Sequence, residues 1–182
     1  MGATSLLPGD SPVSLNEARD WLRMGAATDD AIVTGLILAA TGICEAFVGA
    51  WLMIRDVEEV LTLRGGSVRL SARPVVTIGT VTLPGPEEMA TVVEAGAYCL
   101  RRDRDGTGRL AIDRAGDGAQ LRVAYRAGIA EDAGAVPEAI RHGILRMVRH
   151  LHDARDGEGA PPPAAIAALW HPWRQITLGG AR

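Results

Sequence analysis

The sequence predicts an α+β protein: an α-helical bundle of two N-terminal helices plus one C-terminal helix, a small, mostly antiparallel β-sheet inserted between them, and an extended C-terminal tail. Three observations carry this. Residues 14–51 (SLNEARDWLRMGAATDDAIVTGLILAATGICEAFVGAW) hold the longest helical period in the chain. Residues 57–126 break into short β-branched runs separated by Gly-containing turns. Residues 137–156 return to a helical period before a proline-rich linker. The 182 residues thus divide into an N-terminal arm (1–13), one domain (14–156), and a linker with a tail (157–182).

Ser14 and Glu17 form a capping box, in which the hydroxyl accepts from the third amide of the new helix and the carboxylate reaches back to the cap's own N–H. That helix runs through Trp21 and Leu22 and is expected to stop near Gly25, which adopts a left-handed conformation cheaply. Thr28 reads as the next N-cap, with Asp29 and Asp30 set against the positive end of the helix dipole. From Ile32 to Trp51 the large apolar residues cover one broad face, and only Thr34, Leu38, Thr41 and Glu45 remain for a polar side. Gly35, Ala39, Gly42, Ala46 and Gly49 form a second, small-residue stripe. Each helical glycine costs roughly 1 kcal/mol against Ala, so the stripe is expected to admit another backbone closely, and a neighbouring subunit is the favoured partner.

The middle of the chain reads as hairpins. Residues 57–63 and 68–70 flank Arg64-Gly65-Gly66-Ser67, residues 75–83 (VVTIGTVTL) form a strand after Arg73-Pro74, and residues 97–102 and 109–113 flank Asp105-Gly106-Thr107-Gly108. Residues 120–126 alternate as a last strand. Pro137 then opens the third helix, whose core stripe is Ile140, Ile144, Met147, Val148 and Leu151.

Composition bounds the function. A net charge of −3 argues against general nucleic-acid coating, and all 19 basic residues are arginine. No secretory leader is apparent, no apolar run reads as long enough to span a bilayer, and Cys44 and Cys99 read as buried, reduced thiols of a protein made in the cytoplasm. Residues 101–112, aligned as a calcium loop on Gly106, put Arg101 and Ile112 where the first and last carboxylates belong, so the segment reads as a hairpin turn. His150 and His152 point in different directions, and neither a phosphate loop nor a nucleophile motif is present. No catalytic residue, metal ligand or cofactor site is nominated, and the chain reads as not an enzyme.

Two surfaces read as candidates for binding. The third helix carries Arg141, Arg146 and Arg149 with His142 and His150, a charged face that suits DNA phosphates, a subunit contact, or plain solvent. The tail places Ile166, Leu169, Trp170, Trp173, Arg174, Ile176 and Leu178 beyond a GEGAPPP linker, where apolar residues need a partner or a fold back onto the domain. Residues 173–178 are short enough to add as a strand to another protein's sheet. The second helix cannot serve as a DNA-recognition helix, because it offers almost no polar side chains.

Taken in order, the capped N-terminal helices, the Pro74-Val75 strand start, Ala97-Tyr98-Cys99-Leu100, and above all VAYRAG, VPEAI and HLHDAR resemble the head–tail connector (adaptor) family of long-tailed phages and gene transfer agents. His152 stands where that pattern would carry an aromatic residue. The resemblance spans nearly the whole chain. It implies a structural protein in the neck of a phage-like particle, made in the bacterial cytoplasm and forming a dodecameric homo-oligomeric ring beneath the portal. Such a ring extends the channel for double-stranded DNA and meets a stopper or tail terminator below, with no membrane involved. It also implies portal docking through the C-terminal segment, here residues 166–178, and subunit packing through the helices. The alternative reading is a DNA-binding packaging or regulatory factor that uses the basic face of the third helix.

Overall fold

The capping signal at Ser14 is present in full. In the computed structural model, which describes residues 11–24, 30–83, 91–112, 116–154 and 162–175, the Glu17 N–H donates to Ser14 Oγ at 3.2 Å and the Ser14 N–H donates to the Glu17 carboxylate at 2.9 Å. Helix α1 (Leu15–Leu22) follows and is terminated by Arg23, whose φ of 56° is left-handed. Gly25, expected to make that turn, and the expected cap residues Thr28 and Asp29 lie outside the described residues. Helix α2 (Asp30–Val48) ends at Gly49, which has a φ of 75° and returns its N–H to Glu45 O at 2.8 Å.

The chain forms two compact units, residues 11–53 with 130–175, and residues 54–129. The first is helical. Helix α3 (Glu138–Asp153) follows Pro137 and buries Ile140, Gly143, Ile144, Met147 and Val148. It packs against α1, α2 and a fourth helix, α4 (Ala164–Trp170). Helix α2 buries Val33, Ile37, Ala40, Thr41, Cys44 and Val48. Thr41 therefore belongs to the core and not to a polar side, since its place one turn after Ile37 puts it on the same face. Glu45, also assigned to a polar side, accepts the Leu52 N–H at 2.9 Å.

Two sequence expectations are corrected here. By length and composition alone α2 could cross a membrane, with a mean hydropathy of 2.0 over its most apolar window, 33% of it buried. Its neighbours α1 and α3 carry exposed Asp20, Arg146 and Arg149, which hydrocarbon would not accommodate cheaply. The tail, expected to be extended, begins as a helix, because Ile166 and Trp170, one turn apart, both find cover in this unit.

The second unit is built from strands. β1 (Arg55–Thr62), β7 (Gln120–Ala127), β3 (Val75–Leu83) and β4 (Thr91–Val92) form a four-stranded sheet in that spatial order, with every pair antiparallel. β2 (Ser67–Arg69), β6 (Gly108–Ile112) and β5 (Tyr98–Arg102) form a separate three-stranded sheet. The Gly65-Gly66 turn forms as expected, at φ 55° and 71° with reciprocal bonds between Arg64 and Ser67. Its two strands nevertheless diverge into different sheets, so a single hairpin-built sheet is not what forms. The register along β3 shifts twice, and Gly79 sits at the second shift, where a Cβ would lie 3.1 Å from Ala124 O. Residues 103–107 form the hairpin turn joining β5 and β6, closed by the Asp103 N–H donating to Thr107 O at 2.9 Å, and the Arg73 guanidinium pairs with Asp105 at 3.1 Å.

One buried carboxylate stabilises this unit. Glu59, 7% exposed, accepts from Tyr125 Oη at 2.9 Å, from the Ser71 hydroxyl and from the Ser71 N–H at 3.3 Å, while Tyr125 Oη accepts the Ala72 N–H at 3.0 Å. Burial pushes the Tyr125 hydroxyl up, and the Glu59 charge adds to it. The network ties β1, β7 and the segment after β2 with every partner satisfied, the condition under which a buried polar group stabilises.

Candidate assembly surfaces

Helix α2 leaves one face uncovered. Gly35, Ala39, Gly42 and Ala46 are all exposed, Ile32 at its head is 58% exposed, and a Cβ placed on Gly35 or Gly42 meets nothing within 4 Å. The small-residue stripe therefore has no neighbour within the described chain. Gly49 departs from the stripe. It is half-buried and left-handed, so it terminates α2 rather than admitting a partner.

The tail residues divide sharply. Trp170 is fully buried and Ile166 is 4% exposed. The Trp170 indole sits in a notch on α3 created by Gly143, where a Cβ would stand 2.2 Å from Nε1, and its N–H donates to Ile140 O at 3.3 Å. Phe47 packs on it with ring centroids 5.9 Å apart. Arg174 lays its guanidinium over the Phe47 ring at 5.1 Å, and the Gln175 N–H donates to Val48 O at 2.8 Å near the C-terminus of α2. Ile166 and Trp170, expected as docking contacts, are thus buried against the chain's own helices, whereas Arg174 stays exposed while resting on Phe47. Trp173 remains 40% exposed and Leu169 half-buried, whereas Ile176 and Leu178 lie outside the described residues.

The arginines of α3 are likewise not equivalent. Arg141 donates from Nε to Pro12 O at 3.1 Å, pairs with Glu138 at 3.2 Å, and also binds Glu17 of the capping box. It anchors residues 11–13, with Val13 1% exposed, so this end of the arm packs on its own chain. The Ser14 N–H, joined by its hydroxyl and by Arg141, holds the Glu17 carboxyl below the usual carboxylate range against the opposing effect of burial. Arg149 pairs with Asp153 at 3.5 Å, and Asp153 is held low by its hydrogen bond to His152 and by Arg149. Arg146 is exposed and makes no ion pair among the described residues. With Trp21, Arg149, His150, Asp153 and Ile166 it lines an open groove of about 300 Å³ between α1, α3 and the start of α4.

The two cysteines differ as well. Cys44 is fully buried, and burial pushes its thiol up, but Cys99 on the edge strand β5 is exposed, contrary to expectation. Among the described residues no group of three or more His, Cys, Asp or Glu side chains could hold a metal ion.

No protein-family model matches the chain, and no curated protein sequence matches it. Solved structures do. A chain in the neck of an empty gene transfer agent particle, computed with C6 symmetry, superposes with a TM-score of 0.81 at 21% identity, covering 100% of this chain and 98% of that one. This chain has the fold of a gene transfer agent neck chain. A chain of a native gene transfer agent virion (TM-score 0.79, 22% identity, 100% and 97% coverage) and one from a native neck computed with C12 symmetry (0.77, 22%, 100% and 98%) agree. The likeness extends over the whole length, including α4 and the 3₁₀ turn His171–Trp173 that follows it.

Proposed function

We propose that this protein is a structural neck component of a phage-like particle, a head–tail connector that assembles as a ring and joins head to tail. The observation that carries the reading is the full-length likeness to a neck chain, with a TM-score of 0.81. The neck neighbours were computed with C6 and C12 symmetry, and a dodecameric ring of this chain is compatible with both. The uncovered face of α2, with Gly35, Ala39, Gly42 and Ala46, is the proposed subunit contact, because a bare small-residue helix face allows two helices to approach closely. The portal contact falls to Trp173, Leu169 and the residues beyond Gln175, including Ile176 and Leu178. Next partners are the portal, a stopper or tail terminator, and double-stranded DNA in passage.

The reading of a DNA-binding factor acting through α3 loses support, since Arg141 and Arg149 already have partners in their own chain. The neck reading is tested by native mass spectrometry and electron microscopy of the purified chain, alone and mixed with portal-bearing heads. Rings that seat on heads are expected. A chain that stays monomeric and never joins heads would falsify the reading.

A further inference from the structure

In the four-stranded sheet, exposed arginines are matched with acids. Arg126 lies directly opposite Asp56 and pairs with it at 3.8 Å, and Arg122 pairs with Glu58 at 2.9 Å. The three-stranded sheet does the reverse. Its register sets Arg69 of β2 opposite Arg109 of β6, and Arg109 opposite Arg101 of β5. Directly paired residues of antiparallel strands share a face, so three guanidiniums stand in one row, and all three residues are exposed. The next row on that face, Ser67, Ala111 and Cys99, carries no charge. Among the described residues the row engages one carboxylate, Asp103, bound to Arg109 at 3.1 Å, and Arg69 and Arg101 have no partner there. Arg104 in the adjoining turn is exposed too.

Like charges facing each other across a sheet are destabilising. A chain with a net charge of −3 that balances its arginines in one sheet and stacks them in the other has a surface suited to a multiply charged anion. We propose that the Arg69–Arg109–Arg101 row binds the phosphodiester backbone of nucleic acid. The choice of duplex DNA as that nucleic acid rests on the neck reading. Strands about 4.8 Å apart place the outer two arginines roughly 10 Å from each other. Duplex DNA presents one charge per about 1.7 Å of its axis, so several phosphates lie within that span. The contact carries no sequence preference, because the row offers charge without a side chain placed to read base edges.

The test is the salt dependence of binding of the full-length chain to a short mixed-sequence DNA duplex. The double variant Arg69→Gln/Arg101→Gln is expected to lower affinity and to flatten the slope of log K against log salt by about 1.8, roughly 0.9 for each phosphate contact removed. Arg69→Lys/Arg101→Lys should keep the slope, as should Arg122→Gln, whose side chain is already paired with Glu58. The melting temperature of the Gln variant should be equal or higher, because repulsion is relieved. No DNA binding by the wild type at low salt, or an unchanged slope in the Gln variant, overturns the proposal. So does a Gln variant that binds DNA normally yet fails to join particles, which would make an acidic protein surface the occupant. The slope change in a chain that forms no rings would support the surface while removing the neck reading.

Discussion

Gly42 and Gly143 both lie inside α-helices, and their surroundings give opposite predictions. A Cβ at Gly42 meets nothing, so Gly42→Ala should stabilise the isolated chain by about 0.5–1 kcal/mol, the usual helical gain over glycine. At Gly143 the added carbon would stand 2.2 Å from the Trp170 indole, and the same substitution should destabilise. Urea denaturation of both variants checks the signs. Trp170→Ala empties the notch and should cost about 3–5 kcal/mol. The glycine within HGILRM was a visible signal for this packing. A helix former would be favoured at 143 unless something had to approach, and the sequence does not say that the visitor is a tryptophan 27 residues further on. Glu17 gives a pH prediction. Its carboxyl is held low in the folded state, so its contribution is present above the ordinary carboxylate pKa and is lost as pH falls through the lower folded value. Glu17→Gln should therefore lose stability at neutral pH and flatten the acid side of the stability profile, measured by thermal melts across the acidic range.

At the scale of elements, the first three helices were legible because each has a local cause, whereas α4 in the tail was not. The Ser14/Glu17 box, Pro137 and the stripe from Ile140 to Val148 are short-range patterns, and the structure realises them. Strand positions were legible too, since β-branched runs and Gly-Gly turns mark them. Their partners were not. β7 pairs with β1 and β3 across separations of 40 residues or more, and long-range pairing leaves no mark in a local pattern. The exposed face of α2 belongs to this scale. Gly35→Leu and Gly42→Leu find open space in the single chain, so they should leave the fold and melting temperature intact while abolishing rings in native mass spectrometry. Loss of folding in either variant would count against a surface role for the stripe.

For the whole molecule, the place where the chain is cut decides the outcome. Removal of residues 176–182 leaves α4, Trp170 and the Gln175–Val48 bond in place. That variant should fold and form rings but fail to join portal-bearing heads, as judged by co-sedimentation. Truncation after Ala154 removes α4 and exposes the Gly143 notch, so the helical unit should melt earlier or aggregate. Thermal melts of the two variants separate docking from folding. Normal co-sedimentation of the shorter cut would remove the docking role of the tail end.

Legible from the chain itself were the α+β class, the first three helices with the Ser14/Glu17 cap, all strands but β4, and a full-length resemblance that the neck-chain fold agrees with. Those features depend on neighbours within a turn or a hairpin. Tertiary structure alone decided which apolar and charged residues remain outside. It buried Trp170, committed Arg141 to Glu17 and Pro12, left Gly35 and Gly42 bare, and aligned Arg69, Arg109 and Arg101 across three strands. Each of these outcomes depends on a partner far away in the chain, and a residue's type states what it can contact without stating what will reach it.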